Sequence, residues 1–266
     1  MYLKLGSEYY NLATNSKDTT VTSTNNFRVR ESQIEVLGTK IFTSTRSENI
    51  KSLDEDNYTL FAEYLNKAFT DYDIDTCIRK IHFLAQCYHE SSKFHHTYEG
   101  KTTVPSNYKG GVDFQGRGIK QITHDYNYLA CYDEQERIIH EESSTVAPFI
   151  PLFDIYIDKR DNINQSVTAY LAKYGNTHGF PDLFLETLKD FSKKITENLK
   201  DACISAGFFW KHQDEEVTRL YEAADNDNVQ ELTNKINGGV TGLSQRQKYT
   251  DDLKIIFDYE NCEKNQ

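Results

Sequence analysis

Positive charge is scarce in this chain: 30 Lys and Arg stand against 41 Asp and Glu, a net charge of −11. That balance argues against a nucleic-acid binder, which needs a basic stripe to displace counterions from phosphate. Long hydrophobic runs are missing too. No stretch approaches the roughly 20 apolar residues that span a bilayer, so no membrane partner is expected. The first residues, MYLKLGSEYYNLATNSKDTT, lack a basic start followed by an apolar core, so no secretory signal is expected. The five cysteines, Cys77, Cys87, Cys131, Cys203 and Cys262, are an odd, scattered set without a C-x-x-C pair. They read as free thiols made in a reducing compartment rather than as a disulfide framework or a zinc knuckle. There is no H-E-x-x-H. His82, His89, His95 and His96, with Cys87 nearby, therefore read as core or cleft-wall histidines, and no metal or other cofactor is expected. A zinc amidase or peptidase is the rival enzyme class on those histidines.

What the chain does have is aromatic residues, 18 Tyr and 15 Phe beside a single Trp and a single Met. With 38% hydrophobic residues this suits a folded protein with wet or sugar-facing surfaces. Residues 1–50 are rich in Thr, Ser and β-branched side chains. Short alternating runs at Phe27–Val29 and Ile34–Leu37, closed by Gly38, predict a small β-rich appendage or adaptor. From 51 to 266 the pattern is helical. Leu60, Phe61, Tyr64, Leu65, Ala68 and Phe69 recur at three- and four-residue steps, with Asp54 and Asp56 available as caps. A second stripe, Ile74, Cys77, Ile78, Ile81, Leu84, Ala85 and Tyr88, predicts a deeply packed helix that ends at His89-Glu90. Gly100, Pro105, Gly110, Gly111, Gly116 and Gly118 then mark loops. Helices are expected again near Ile119, over 165–174, 181–188, 195–210 and 227–236, the last capped by Gly238-Gly239, and over 244–257. Residues of about 131–200 look like an insertion between helices. Trp210 reads as core, and the acidic run Glu222, Asp225, Asp227 and Glu231 as a solvated helix start.

Three stretches carry the candidate chemistry: FLAQCYHESSKF, FQGRGIKQITHDYNY and KINGGVTGLSQRQKY. Glycoside hydrolysis needs one protonated carboxyl to donate to the leaving oxygen and one carboxylate to activate water. Glu90 stands where an apolar helix gives way to a polar loop. A carboxyl against apolar walls is expected to have a raised pKa, which suits a general acid. Gly116-Arg117-Gly118 allows close backbone approach, with Arg117 free to pair with a carboxylate. Gln121, Thr123 and Asn127 follow at spacings that line one side of a groove with amides and hydroxyls, the partners that sugar hydroxyls and N-acetyl groups require.

Taken in order, FLAQ-x-x-HES, FQGRGIKQIT-x-x-YNY, SAGFFW and INGG-x-x-G-x-x-x-R-x-x-Y resemble the family 19 chitinase and phage endolysin group of glycoside hydrolases, from roughly Tyr58 to Phe257. The resemblance implies a mainly α, lysozyme-like bilobal helical domain and an inverting acid–base mechanism without a cofactor. It places Glu90 as the general acid. It places Gln121, Thr123, Asn127, Asn237 and Arg246 among the residues that contact substrate or support the cleft, and His89 and Arg117 stand beside them as further candidate substrate-binding residues. For the general base two alternatives stand: Glu99, nine residues after Glu90, and Asp113.

The expected substrate is the glycan strand of peptidoglycan, since the chain lacks the signal and paired cysteines of secreted plant-type chitinases. Chitin oligosaccharide is the alternative, and a catalytically silent glycan-binding module is a third reading. Synthesis in the cytoplasm followed by export, lysis or injection would bring the enzyme to the wall. A delivery apparatus or an immunity protein is the expected partner of residues 1–50.

Overall fold

The computed structural model describes residues 2–5, 8–11, 58–143, 148–175, 177–212 and 218–263. The runs at Phe27–Val29 and Ile34–Leu37, and the caps Asp54 and Asp56, lie outside the described residues. At the N-terminus β1 (Tyr2–Leu5) and β2 (Glu8–Asn11) pair antiparallel, Tyr2 facing Asn11 and Leu5 facing Glu8.

Outside the irregular stretch from 91 to 124, most of the described chain is helical, as its periodicity indicates. α1 (Tyr58–Asp71) turns its apolar stripe onto α7 (Leu199–His212). The two approach so closely that a Cβ on Gly207 would run into the Tyr72 ring, which accounts for the glycine in SAGFFW. α2 (Cys77–Glu90) starts at Thr76, whose hydroxyl accepts from the Arg79 backbone N–H at 3.2 Å. It buries Ile81, Phe83, Leu84 and Ala85 completely, as a helix surrounded on most sides must. Phe83 meets Phe69 edge-on at 5.2 Å and Trp210 at 5.5 Å, so Trp210 is a core residue.

α3 (Asp125–Glu142), α4 (Leu152–Lys159), α5 (Val167–Tyr174) and α6 (Phe184–Glu197) follow. Cys131, Tyr156, Tyr170, Leu188 and Ile195 from this stretch join the same buried cluster as Phe83 and Trp210. α8 (Thr218–Asp225), α9 (Val229–Asn237), α10 (Leu243–Ile256) and α11 (Tyr259–Glu263) complete the chain, with α10 against α2. Gly238 ends α9 in the left-handed region, at φ 66°. Among the described residues no helix is long and apolar enough to cross a membrane.

Three expectations need correction. The helix anticipated from Ile119 begins at Asp125 instead. Arg117 and Ile122 exchange backbone hydrogen bonds at 3.1 and 3.0 Å, closing a tight reversal, and Gln121 takes φ 60°, which no right-handed helix allows. The helix anticipated over 195–210 is two helices. Asn198 breaks them, and its side-chain oxygen caps α7 by accepting from Lys200 N at 2.9 Å and Asp201 N at 3.2 Å. Finally, Cys77 and Cys262 are not free thiols: a disulfide joins the start of α2 to α11, while Cys87, Cys131 and Cys203 are free and buried. The pairing links positions 185 residues apart, so no spacing rule reveals it.

Candidate active site

Immediately after Glu90 the chain reverses through Ser92, Lys93 and Phe94, three successive residues with φ of 53°, 66° and 60°. Left-handed backbone costs non-glycine residues energy, so neighbours must hold it. Ser91 does so: its hydroxyl donates to the Cys87 carbonyl at 2.6 Å and accepts from the Phe94 N–H at 2.9 Å. The Phe94 ring anchors the reversal edge-on against Phe61 at 5.1 Å.

The segment that follows carries Glu99. It runs beside 116–118, Glu99 N donating to Gly116 O and Gly118 N to Thr97 O, each at 2.8 Å. A Cβ on Gly116 would come within 2.8 Å of Gln121 Oε1 and 3.4 Å of Glu99 Cβ, so the close approach expected of the Gly-Arg-Gly run is present. Gln115, fully buried, laces the loop: its Nε2 donates to Tyr98 OH, Lys101 O and Val112 O, and its Oε1 accepts from Lys101 N.

These elements bound an open cleft of about 480 Å³. Glu90 and Glu99 both line it, with Gln121, Thr123, Asn127 and Asn237. Four other sequence-picked residues do not. Arg246, only 2% exposed, lies behind Glu90, donating from Nη2 to Glu90 Oε1 at 2.6 Å and from Nη1 to the buried Gln86 Oε1. His89 packs beside Tyr249 and against Gly242. Arg117 stacks on the Tyr98 ring at 4.3 Å and donates to the Thr196 hydroxyl at 2.7 Å and the Asp113 carbonyl, so its partners are neutral oxygens rather than the carboxylate anticipated. Asp113 is half exposed and pairs with Lys189 at 3.7 Å, outside the cleft lining.

The electrostatics of Glu90 also depart from expectation. Burial pushes its carboxyl up, but the Lys120 and Arg246 cations and the Arg246 hydrogen bond outweigh that, leaving it below the ordinary glutamate range. The raised pKa inferred from the apolar helix is thus reversed by charges from distant parts of the chain. Glu99 is held differently. Its carboxylate accepts from Gly116 N at 3.2 Å and at longer range from Tyr108 OH, and pairs with Lys101.

The sequence reading missed several lining residues, among them Lys120, Tyr108, His124 and Phe209. Lys120 stands between Ile119 and Gln121 in a mixed, glycine-bearing stretch, and a lysine there would ordinarily reach solvent. Here it is 4% exposed, 4.1 Å above the Phe209 ring and 3.8 Å from Glu90 Oε1. Burial lowers its pKa, an effect that Glu90 partly offsets. His124, at φ 71°, accepts from Lys109 N at Nδ1 and stacks on Tyr126, and burial lowers its pKa too.

Of the other histidines singled out, His82 is buried and bonds Asp227 at 2.9 Å, and His96 lines the cleft. Among the described residues no three His, Cys, Asp or Glu side chains converge as metal ligands would.

No protein-family model and no curated protein matches the chain. Among solved structures it is similar to a crystal structure of a chitinase C mutant, at 16% identity and a TM-score of 0.47, covering 89% of this chain and 96% of that one. A likeness so distant transfers neither that enzyme's activity nor its site residues.

Proposed function

We propose that the chain is a glycoside hydrolase that cleaves the glycan strand of peptidoglycan. The observation that carries this reading is that Glu90 and Glu99 line one open cleft together with the amides and hydroxyl of Gln121, Thr123, Asn127 and Asn237. Two carboxyl groups are the minimum that acid–base glycoside hydrolysis requires, and amides are suited to hold N-acetyl groups. The lysozyme-like, family 19 resemblance of the four sequence motifs supports the same assignment.

In this reading Glu90 gives its proton to the glycosidic oxygen as the bond from that oxygen to the anomeric carbon breaks. Water attacks the anomeric carbon from the opposite face, and Glu99 takes the proton that the water releases. One water is consumed and the configuration inverts. The backbone N–H of Gly116 and the Tyr108 hydroxyl keep Glu99 oriented for that role. Because Glu90 must be protonated to act and its pKa is lowered, the alkaline limb of kcat/KM is expected on the acid side of neutrality. The Cys77–Cys262 disulfide supports action outside a reducing cytoplasm, with residues 1–50 assigned to delivery or to an immunity partner.

The test is release of soluble fragments from purified peptidoglycan and from colloidal chitin, comparing the wild type with Glu90→Gln. Muropeptides from the wild type, with kcat reduced about 10²- to 10⁴-fold in the variant, are the expected result. Chito-oligosaccharides alone would move the substrate to chitin. Full activity in Glu90→Gln would remove the mechanism, and release from neither substrate would favour a binding module.

A further inference from the structure

Two cations converge on one oxygen of Glu90. Arg246 Nη2 donates to Oε1 at 2.6 Å, and Lys120 Nζ stands 3.8 Å from the same atom. Among the described residues no hydrogen bond reaches Oε2, and Glu90 lines the cleft. The Lys120 ammonium is itself held, at 4% exposure and 4.1 Å over the Phe209 ring, unlike the head of a surface lysine.

We infer that Lys120 is a positioning residue of the cleft: with Arg246 it engages Oε1 and leaves Oε2 to face the substrate. This rests on the reading of Glu90 as the general acid.

Titratable groups near Glu90 come from several elements. α2 supplies His89 and the buried Cys87 thiol, the 117–122 reversal supplies Lys120, and α10 supplies Arg246. α7 lines the cleft there with the Phe209 ring and α9 with the uncharged Ile236 and Asn237, while the segment from 91 to 124 brings His96, Glu99, Tyr108 and His124 to the same cleft. Burial opposes the carboxylate; Lys120 and then Arg246 favour it most, and His89 adds a smaller contribution of the same sign. Arg246 bonds directly and is tied to Gln86 besides, so its loss would disturb packing as well as charge. Lys120 acts across a longer gap and through charge, which makes it the separable member of the pair.

The experiment compares wild type, Lys120→Met and Lys120→Arg by two readouts: the Glu90 carboxyl carbon followed by NMR against pH, and the pH profile of kcat/KM on solubilised peptidoglycan. Removing a nearby positive charge leaves burial less opposed. The Lys120→Met carboxyl midpoint should therefore rise by roughly one pH unit, and the alkaline limb should move upward with it. Lys120→Arg, which keeps the charge, should leave both near the wild-type position. An unmoved carboxyl midpoint in Lys120→Met, or equal displacement in both variants, would overturn the inference. A displaced midpoint with an unmoved kinetic limb would also overturn it, because Glu90 would then not be the acid. If wild type cleaves no glycan, the hydrolase reading fails by itself, and the carboxyl titration still decides whether Lys120 holds Glu90.

Discussion

The cleft is made from two kinds of backbone. Glu90 and Asn237 sit at the ends of α2 and α9, regular helices with buried stripes, and Arg246 stands behind them on α10. Glu99, Gly116 and Gln121 sit on irregular chain between 91 and 124, where left-handed residues recur and side chains such as Gln115 and Ser91 replace ladder hydrogen bonds. The carboxylates inherit this difference. Glu90 is governed by buried cations, and Glu99 by a backbone N–H, a tyrosine hydroxyl and a half-exposed lysine. A helix end holds a charge by burying its partners, whereas a loop holds one by directing backbone and hydroxyl groups at it.

That contrast can be broken most forcefully at Arg246. Arg246→Leu should destabilise the fold by about 3 kcal/mol, since it orphans Gln86 and leaves Glu90 in a buried site with Lys120 alone. Urea unfolding measures this directly, and a loss well under 1 kcal/mol would show that the helix-borne side does not depend on its buried ion pair.

On the loop-borne side the more sensitive point is Gly118. A Cβ there, at φ +74°, would stand 2.8 Å from Ser205 Oγ and 3.0 Å from Ile195 Cγ2. Gly118→Ala should cost about 1–3 kcal/mol, read as a lower thermal midpoint, with activity reduced because the reversal bearing Lys120 and Gln121 shifts. An unchanged midpoint would mean that the loop yields where the geometry says it is tight.

Smallest is the effect at Lys101. Its pairing with Glu99 is solvent-screened, so Lys101→Ala should change stability by less than about 1 kcal/mol and kcat/KM by only a few-fold. A loss approaching that of Glu90→Gln would make this pair part of the machinery, and the two carboxylates more alike than their surroundings suggest.

The same division marks how far the sequence could be read. α1, α2, α9 and α10 were legible because apolar residues at helical period and a terminal glycine are local signals. Of the nine candidate site residues, Glu90, Glu99, Gln121, Thr123, Asn127 and Asn237 line the cleft, whereas His89, Arg117 and Arg246 do not. Ile119 is buried as a helix residue would be, yet it sits in a reversal that Arg117 and Ile122 close. Asn198 was passed over because a single capping residue inside an apolar pattern leaves the period nearly intact. The pKa of Glu90 was not legible at all, since Arg246 lies 156 residues away and nothing local reports it. Lys120 was hidden by a related effect: only the packed Phe209 ring and Glu90 distinguish it from a solvated lysine.

The disulfide between Cys77 and Cys262 has a consequence for wear rather than for catalysis. It ties together two points 185 residues apart, and every residue of the cleft lies between them. A protease that nicks a surface loop inside that span leaves two pieces still fastened to each other, with the core contacts between them available to hold the fold. Such a molecule would run as one chain until a reductant separates it, and it could go on working among proteases that would dismantle an unfastened version.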